Sequence, residues 1–167
     1  MSRVARFHAD RTNQKLYFAR LACQQVEQIE HVQQAQAYRE AAVFHLHGSL
    51  LAFLQELARY YRLNDSQPTL KSIEGQMADK GQVSPEVVVM QQLAKHGFIA
   101  ELKRAYRLCQ YAPEPNAPVP EEETSSNLII KVTQGPQSWL PDVKILREWH
   151  RELTQLIDGF RNEMVEF

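Results

Sequence analysis

The side chains best suited to binding an anion lie near the start of the chain. Four of them share one arc of the first predicted helix with the apolar Phe18: His8, Arg11, Gln14 and Lys15. Charged groups on a core-facing arc are costly unless they are paired or reach solvent at the end of a bundle. In an antiparallel hairpin that end lies opposite Tyr60 and Tyr61. The pattern predicts either a pocket that holds a small anion or nucleotide through Arg11 and Lys15, or a solvated helix end.

The histidines and acids lack metal-ligand spacing. His45 and His47 are two residues apart on a predicted helix, so their side chains diverge by ~200° and cannot share one ion. A di-iron bundle would need Glu-x-x-His pairs on two helices, and the chain has none. It also has no P-loop, GxGxxG, GxSxG or HExxH motif. We therefore predict neither a metal nor a cofactor.

A second basic group lies near the middle of the chain. Lys103, Arg104 and Arg107 share a helix face close to Tyr106. Basic residues interleaved with aromatic ones are typical of some nucleic-acid-binding surfaces. The acidic run Glu121–Glu123 is available to neutralise them, which favours a charged, solvated face.

The composition is that of one ordinary globular domain. The 167 residues are 44% hydrophobic and 23% charged, with six glycines, which excludes wholesale disorder. The net charge of −1 argues against a surface built as a whole for nucleic acid or an anionic membrane. This near-neutral total hides a basic N-terminal end and an acidic stretch before the last predicted helix.

The compartment is inferred from cysteine usage and from the absence of targeting signals. Cys23 and Cys109 are far apart and form no CxxC, which is typical of free thiols in a reducing cytosol. The N-terminus lacks the apolar stretch of a signal peptide, and no uncharged apolar run approaches the ~18 residues of a membrane span. We expect a soluble, cytoplasmic protein.

Hydrophobic periodicity predicts helices along most of the chain. The second of them has a broad apolar arc, so we expect a central helix contacted from several sides. Ser84 followed by Pro85 marks one helix start, and Gly97 marks the end of the same helix. The predicted helices cover residues 3–32, 37–63, 68–78, 85–96, 98–111 and the chain from 141 onward.

Residues 112–127 interrupt this pattern with four prolines and an acidic triplet, which predicts a flexible loop. The β-like run 128–133 follows, and we expect an extended segment or an edge used in association. The predicted fold is all-α: an antiparallel bundle of about five to six helices, with one long Pro/Glu-rich loop before the C-terminal helix. We assign residues 1–167 to one domain.

Five short segments spread over nearly the whole chain carry a family resemblance. They are R-T-N-Q-K-L at 11–16, REAAVFHLHG at 39–48, YYRL at 60–63, REW at 147–149 and FR at 160–161. Together they resemble a small family of uncharacterised bacterial proteins, a domain of unknown function. The resemblance implies a cytoplasmic bacterial helical protein, and it assigns no catalytic residue.

Arg39 and His45 carry a second resemblance. Their Arg-x5-His spacing within a helix is similar to the signature of the HEPN superfamily, whose helical bundles include RNA-cleaving enzymes. The resemblance implies that Arg39 contacts phosphate and that His45 performs acid/base chemistry on a ribose 2′-OH. Six residues place the two side chains ~120° apart, so they converge only if the arginine reaches around the helix.

We therefore expect a non-catalytic helical interaction or scaffold protein that self-associates or binds a protein partner. The broad apolar arc of the second helix, and the run 128–132 with Trp139, offer more apolar surface than a small bundle needs. One alternative is a HEPN-like RNA-binding or RNA-cleaving module that uses Arg39 and His45. A further alternative is small-anion or nucleotide binding at Arg11 and Lys15.

Overall fold

The computed structural model describes residues 3–111 and 140–165, and in this part of the chain all regular structure is helical. The predicted all-α class is confirmed. The described helices are α1 (Arg3–Gln28), α2 (Val32–Tyr60), α3 (Leu70–Asp79), α4 (Pro85–His96), α5 (Phe98–Gln110) and α6 (Val143–Val165). The predicted loop at 112–127, the β-like run and Trp139 lie outside the described residues.

The first two helices form an antiparallel hairpin. Thr12 on α1 donates a hydrogen bond to Glu56 on α2, and Phe18 contacts His45, so positions rise along α1 as they fall along α2. The break between the helices lies at residues 29–31. The prediction of a break at 33–36 was wrong, because the good helix formers after Val32 already belong to α2.

The buried face of α1 differs from the predicted arc. Its buried residues recur at helical spacing and most have small side chains: Thr12, Leu16, Ala19, Ala22 and Cys23. Arg11 and Gln14 are exposed, and Leu21 is 37% exposed. The predicted arc followed the large apolar residues, whereas small residues line the contact and let α1 lie close to α2. Of the cations that suggested a buried anion pocket, Arg11 is therefore exposed and Lys15 lies at the margin of the contact.

The α2 helix is central, as predicted. Its buried residues are spread around much of its circumference, and it packs against α1, α5 and α6. One hydrophobic core contains residues from all six described helices. The broad apolar arc of α2 is thus largely covered by neighbouring helices within the chain. Its exposed members include Tyr60, Phe44 and Leu51, and Leu51 is 47% exposed.

Capping side chains define the starts of α3 and α4. Thr69 and Ser72 form a reciprocal capping box at the start of α3, two residues later than the predicted start at Pro68. The Ser84 hydroxyl accepts a hydrogen bond from the Val87 amide, and Pro85 occupies the first turn of α4. Gly97 separates α4 from α5 in extended backbone.

The last helix runs antiparallel to α1 and packs against both helices of the α1–α2 hairpin. Its residues meet α1 in reverse order, with Arg147 bonded to Glu27 and His150 bonded to the Leu16 carbonyl. Asp142 accepts the Ile145 amide and caps the helix start. Within the described ranges, no helix is both long enough and apolar enough to cross a bilayer.

Candidate functional site

A groove of about 580 Å³ opens between α2, α3, α4 and α5. Its floor is apolar and consists of Leu50, Leu51 and Leu54 on α2 together with Ile99 on α5. With His47, the α2 positions follow the spacing i, i+3, i+4, i+7, so one face of the helix lines the groove over about two turns. Within this face Leu51 is 47% exposed, whereas Leu50 and Leu54 are buried in the core.

The rim of the groove is basic. Lys71 on α3, Lys95 on α4 and Lys103 on α5 all line it. Glu74 is its one described acid, and that carboxylate accepts a hydrogen bond from Gln91 at 2.9 Å. Among the side chains that the structure describes, none forms an ion pair with the three lysines. Within the described residues, the groove therefore combines an apolar floor with positive charge that no acidic side chain pairs with.

The start of α3 borders the groove. Thr69 and Leu70, at the N-terminus of α3, line it beside Lys71. This helix end is satisfied locally, because Thr69 accepts the Ser72 amide and the Asp65 carboxylate accepts the Ser72 hydroxyl at 2.6 Å.

His47 contributes an imidazole ring to the lining of the groove. Its imidazole stacks on the ring of Tyr106, with centroids 3.8 Å apart and an interplanar angle of 6°. Phe44 packs edge-on against the same tyrosine. Burial lowers the pKa of His47, and the positive charge of Lys103 lowers it further. At neutral pH the ring is therefore uncharged, and it forms part of the apolar wall.

The residues of the predicted anion pocket have separate partners. Arg11 donates to Gln14 on its own helix at 2.6 Å, and the aliphatic part of Lys15 lies over Gly48. Tyr61 donates its hydroxyl to the buried Glu86 at 2.6 Å.

Burial, reinforced by the bond to Glu86, raises the pKa of Tyr61 to about 12. Tyr60 packs edge-on against the Tyr61 ring, and Tyr61 is committed to the contact with α4. His8 lies outside the residues whose side chains the structure describes. The structure does not bring the described members of this set together around one space.

Arg39 and His45 also face different neighbours. Arg39 donates Nε to the Pro141 carbonyl at 2.8 Å and a terminal nitrogen to the Leu140 carbonyl. The ring of His45 packs edge-on against Phe18 with centroids 5.3 Å apart, and burial and Lys15 lower its pKa. Arg39 thus holds the segment before α6, while His45 belongs to the contact between α1 and α2.

A polar cluster that the sequence did not predict joins three helices. Glu56 on α2 accepts two hydrogen bonds from one terminal nitrogen of Arg161 on α6, at 2.9 and 3.0 Å. The Thr12 hydroxyl donates to the same carboxylate at 2.7 Å, and Arg161 also donates to Asn13 at 2.8 Å. The cluster contains residues from two of the segments that carried the family resemblance. Thr12 and Asn13 lie in R-T-N-Q-K-L, and Arg161 follows Phe160.

The cysteines offer no reactive thiol. Both are free, Cys23 is buried, and burial raises the pKa of both thiols, that of Cys109 to about 11. A thiol with a raised pKa is a poor nucleophile. Among residues 3–111 and 140–165, no three His, Cys, Asp or Glu side chains are placed to hold a metal ion.

Comparison with known proteins gives one match. No curated protein and no solved structure matches the chain. A family model matches residues 7–167, which include all five segments quoted for the resemblance. The chain therefore belongs to a family of unknown function, DUF6586.

Proposed function

We propose that this chain is a non-catalytic interaction protein and that the groove between α2 and α5 is its docking site. The occupant we assign is a segment of a partner protein that is apolar on one side and carries carboxylates. The observation behind this proposal is the apolar floor of Leu50, Leu51 and Leu54 under three lysines that no described acid pairs with. An exposed apolar groove with a charged rim is typical of peptide-binding surfaces.

The lining supports binding rather than bond making. It supplies apolar contact area and positive charge, and its one described histidine, His47, is held against Tyr106. Carboxylates on the partner would compensate Lys71, Lys95 and Lys103, which have no acidic partners within the described chain. Such complementarity contributes chiefly to the rate of association and to partner choice.

Self-association stays a second part of the proposal. Exposed apolar side chains around the start of α4 support it, since Val83 is 76% exposed and Val88 and Val89 also reach solvent. Sedimentation of the full chain over a wide concentration range tests this part separately. A strict monomer at the highest concentration would overturn self-association and leave the partner proposal intact.

The docking proposal is tested with a random linear peptide library displayed against the immobilised full chain. We expect enriched peptides that combine Leu, Ile or Phe with Asp or Glu, and we expect Leu51→Glu to abolish their binding. Tyr17→Glu is the matched control, because Tyr17 is 48% exposed on α1 and does not line the groove. Enrichment that survives Leu51→Glu, or no enrichment above an unrelated helical protein, would overturn the proposal.

A further inference from the structure

The walls of the groove limit what shape its occupant can take. We infer that the partner segment is an acidic amphipathic α-helix that lies along α2. Its apolar face covers Leu50, Leu51 and Leu54, and its carboxylates face the surrounding lysines. This inference rests on the proposed function and specifies its partner.

The backbone of the groove favours a helical occupant over an extended one. The lining residues lie in helices or at helix ends, and within the described residues no strand edge borders the groove. An extended peptide gains affinity from main-chain hydrogen bonds to such an edge. On this floor it would leave its own amides and carbonyls without partners, which is costly away from water. A helix satisfies those groups internally and needs only side-chain contacts.

The floor matches one face of a helix in length and spacing. His47, Leu50, Leu51 and Leu54 run for about two turns, roughly 10 Å at 1.5 Å per residue. A partner helix with apolar residues at i, i+3, i+4 and i+7 presents a stripe of the same length. Leu51 is half exposed, whereas Leu50 and Leu54 are buried. Of the three leucines, Leu51 therefore has the most apolar surface for the partner helix to remove from water.

The charges identify the partner helix as acidic. Lys71, Lys95 and Lys103 come from three different helices around the floor, so carboxylates on both flanks of an incoming helix meet a cation. Attraction of this kind weakens as salt is added, so binding to the full chain should fall as ionic strength rises.

The test uses three synthetic fluorescent peptides of about four turns, whose binding to the full chain is followed by anisotropy. One has Leu at i, i+3, i+4 and i+7 with Glu elsewhere, one has the same composition with Leu and Glu alternating, and one has Lys in place of Glu. We expect the first to bind at least about tenfold more tightly than the other two. We also expect Lys71→Glu/Lys103→Glu to remove that advantage, whereas Arg104→Glu, outside the groove lining on α5, retains it.

The outcomes separate this inference from the proposed function. Tighter binding of the alternating peptide would overturn the helical partner, while display peptides that depend on Leu51 would still support docking at the groove. Tighter binding of the lysine peptide would overturn the acidic partner. Direct binding of a long-chain fatty acid, with no peptide binding by either method, would overturn both in favour of an anionic lipid. Equal binding of the first peptide to wild type and Leu51→Glu would overturn the groove as its site.

Discussion

The imidazole of His47 on α2 lies parallel to the ring of Tyr106 on α5, with centroids 3.8 Å apart. This stack closes one end of the groove and holds α5 against the central helix. It places Lys103, one turn before Tyr106, at the rim. Burial keeps His47 uncharged at neutral pH, and it lowers the pKa of two other histidines in the same way. The stability of the protein should therefore depend on pH.

Acidification should destabilise the protein through three histidines. Burial is the first cause of the lowered pKa of His45, His47 and His150, and for His150 it outweighs the opposing bond to the Leu16 carbonyl. The unfolded chain therefore binds more protons than the folded one near and below about pH 6.5. The stabilisation is present above that pH and is lost as pH falls through the lowered folded values. We expect a lower urea midpoint at about pH 5.5 than at about pH 7.5.

Carboxylates also titrate in acid, so a variant isolates the histidine contribution. His45→Gln/His47→Gln/His150→Gln should show a smaller shift in midpoint between the two pH values than wild type shows. An equal shift in the two proteins would contradict the assignment.

Arg161 should contribute much more to stability than a surface arginine on the same helix. Its partner Glu56 is 9% exposed, so Arg161→Ala leaves a buried carboxylate with the Thr12 hydroxyl. We expect a loss of about 3 kcal/mol in the free energy of unfolding, measured by urea denaturation. Arg151→Ala is the control, because the Arg151–Glu148 pair is largely exposed and should cost less than about 0.5 kcal/mol. Equal losses in the two variants would refute a structural role for the cluster.

The periodicity of the sequence predicted the helices well, and it predicted their faces less well. On α2 and α6 bulk and burial mostly coincide, as at Phe53 and Leu153, although Leu51 and Phe44 reach solvent. On α1 they do not coincide, since Ala19 and Cys23 are buried while Leu21 and Tyr17 reach solvent. A pattern that weighs residues by size cannot detect a close helix contact made through small side chains.

Arg39 should act as a structural anchor for the start of α6. Arg39→Ala removes the hydrogen bonds to the Leu140 and Pro141 carbonyls, and we expect it to cost about 1–3 kcal/mol. Hydrogen exchange in the first turn of α6 should accelerate as well. Arg104→Ala, at an exposed position of α5, should change neither quantity.

The HEPN-like alternative predicts a different result for the same residue. It requires that the protein cleaves RNA and that Arg39→Ala and His45→Ala each abolish this cleavage. It also requires that hydrogen exchange in α6 is equally slow in wild type and in Arg39→Ala. That combination would contradict the anchor assignment.

Two glycines should respond in opposite directions to the same substitution. A Cβ at Gly97 would lie 2.8 Å from Leu93 Cδ2 and 3.1 Å from the Leu93 Cα, so Gly97→Ala forces the junction of α4 and α5 to shift. We expect a loss of about 1–3 kcal/mol. Gly75 lies inside α3 with open space around it, so Gly75→Ala should stabilise the protein by about 0.5–1 kcal/mol. Thermal unfolding of both variants checks the pair, and a stabilised Gly97→Ala would show that the junction can relax.

The candidate site could be predicted only in part, for a physical reason. Lys103 was identified as part of a basic face, whereas most of the apolar arc predicted on α2 is covered by other helices of the chain. Lys71 and Lys95 belong to separate short helices, and their convergence depends on how α3 and α4 pack, which no periodicity within one helix encodes. Glu56 was likewise indistinguishable from a solvated residue, because its partner Arg161 is 105 positions away in the chain.

Methyl NMR of the full chain, labelled at Leu and Ile and titrated with the helical acidic peptide, tests the docking site most directly. We predict that the largest shifts occur at Leu50, Leu51, Leu54 and Ile99, which form the floor of the groove. The methyl groups of Leu16, in the contact between α1 and α2, and of the exposed Leu21 should stay unchanged. Shifts concentrated at Leu16 and Leu21, with the floor unaffected at saturation, would contradict the assignment of the groove.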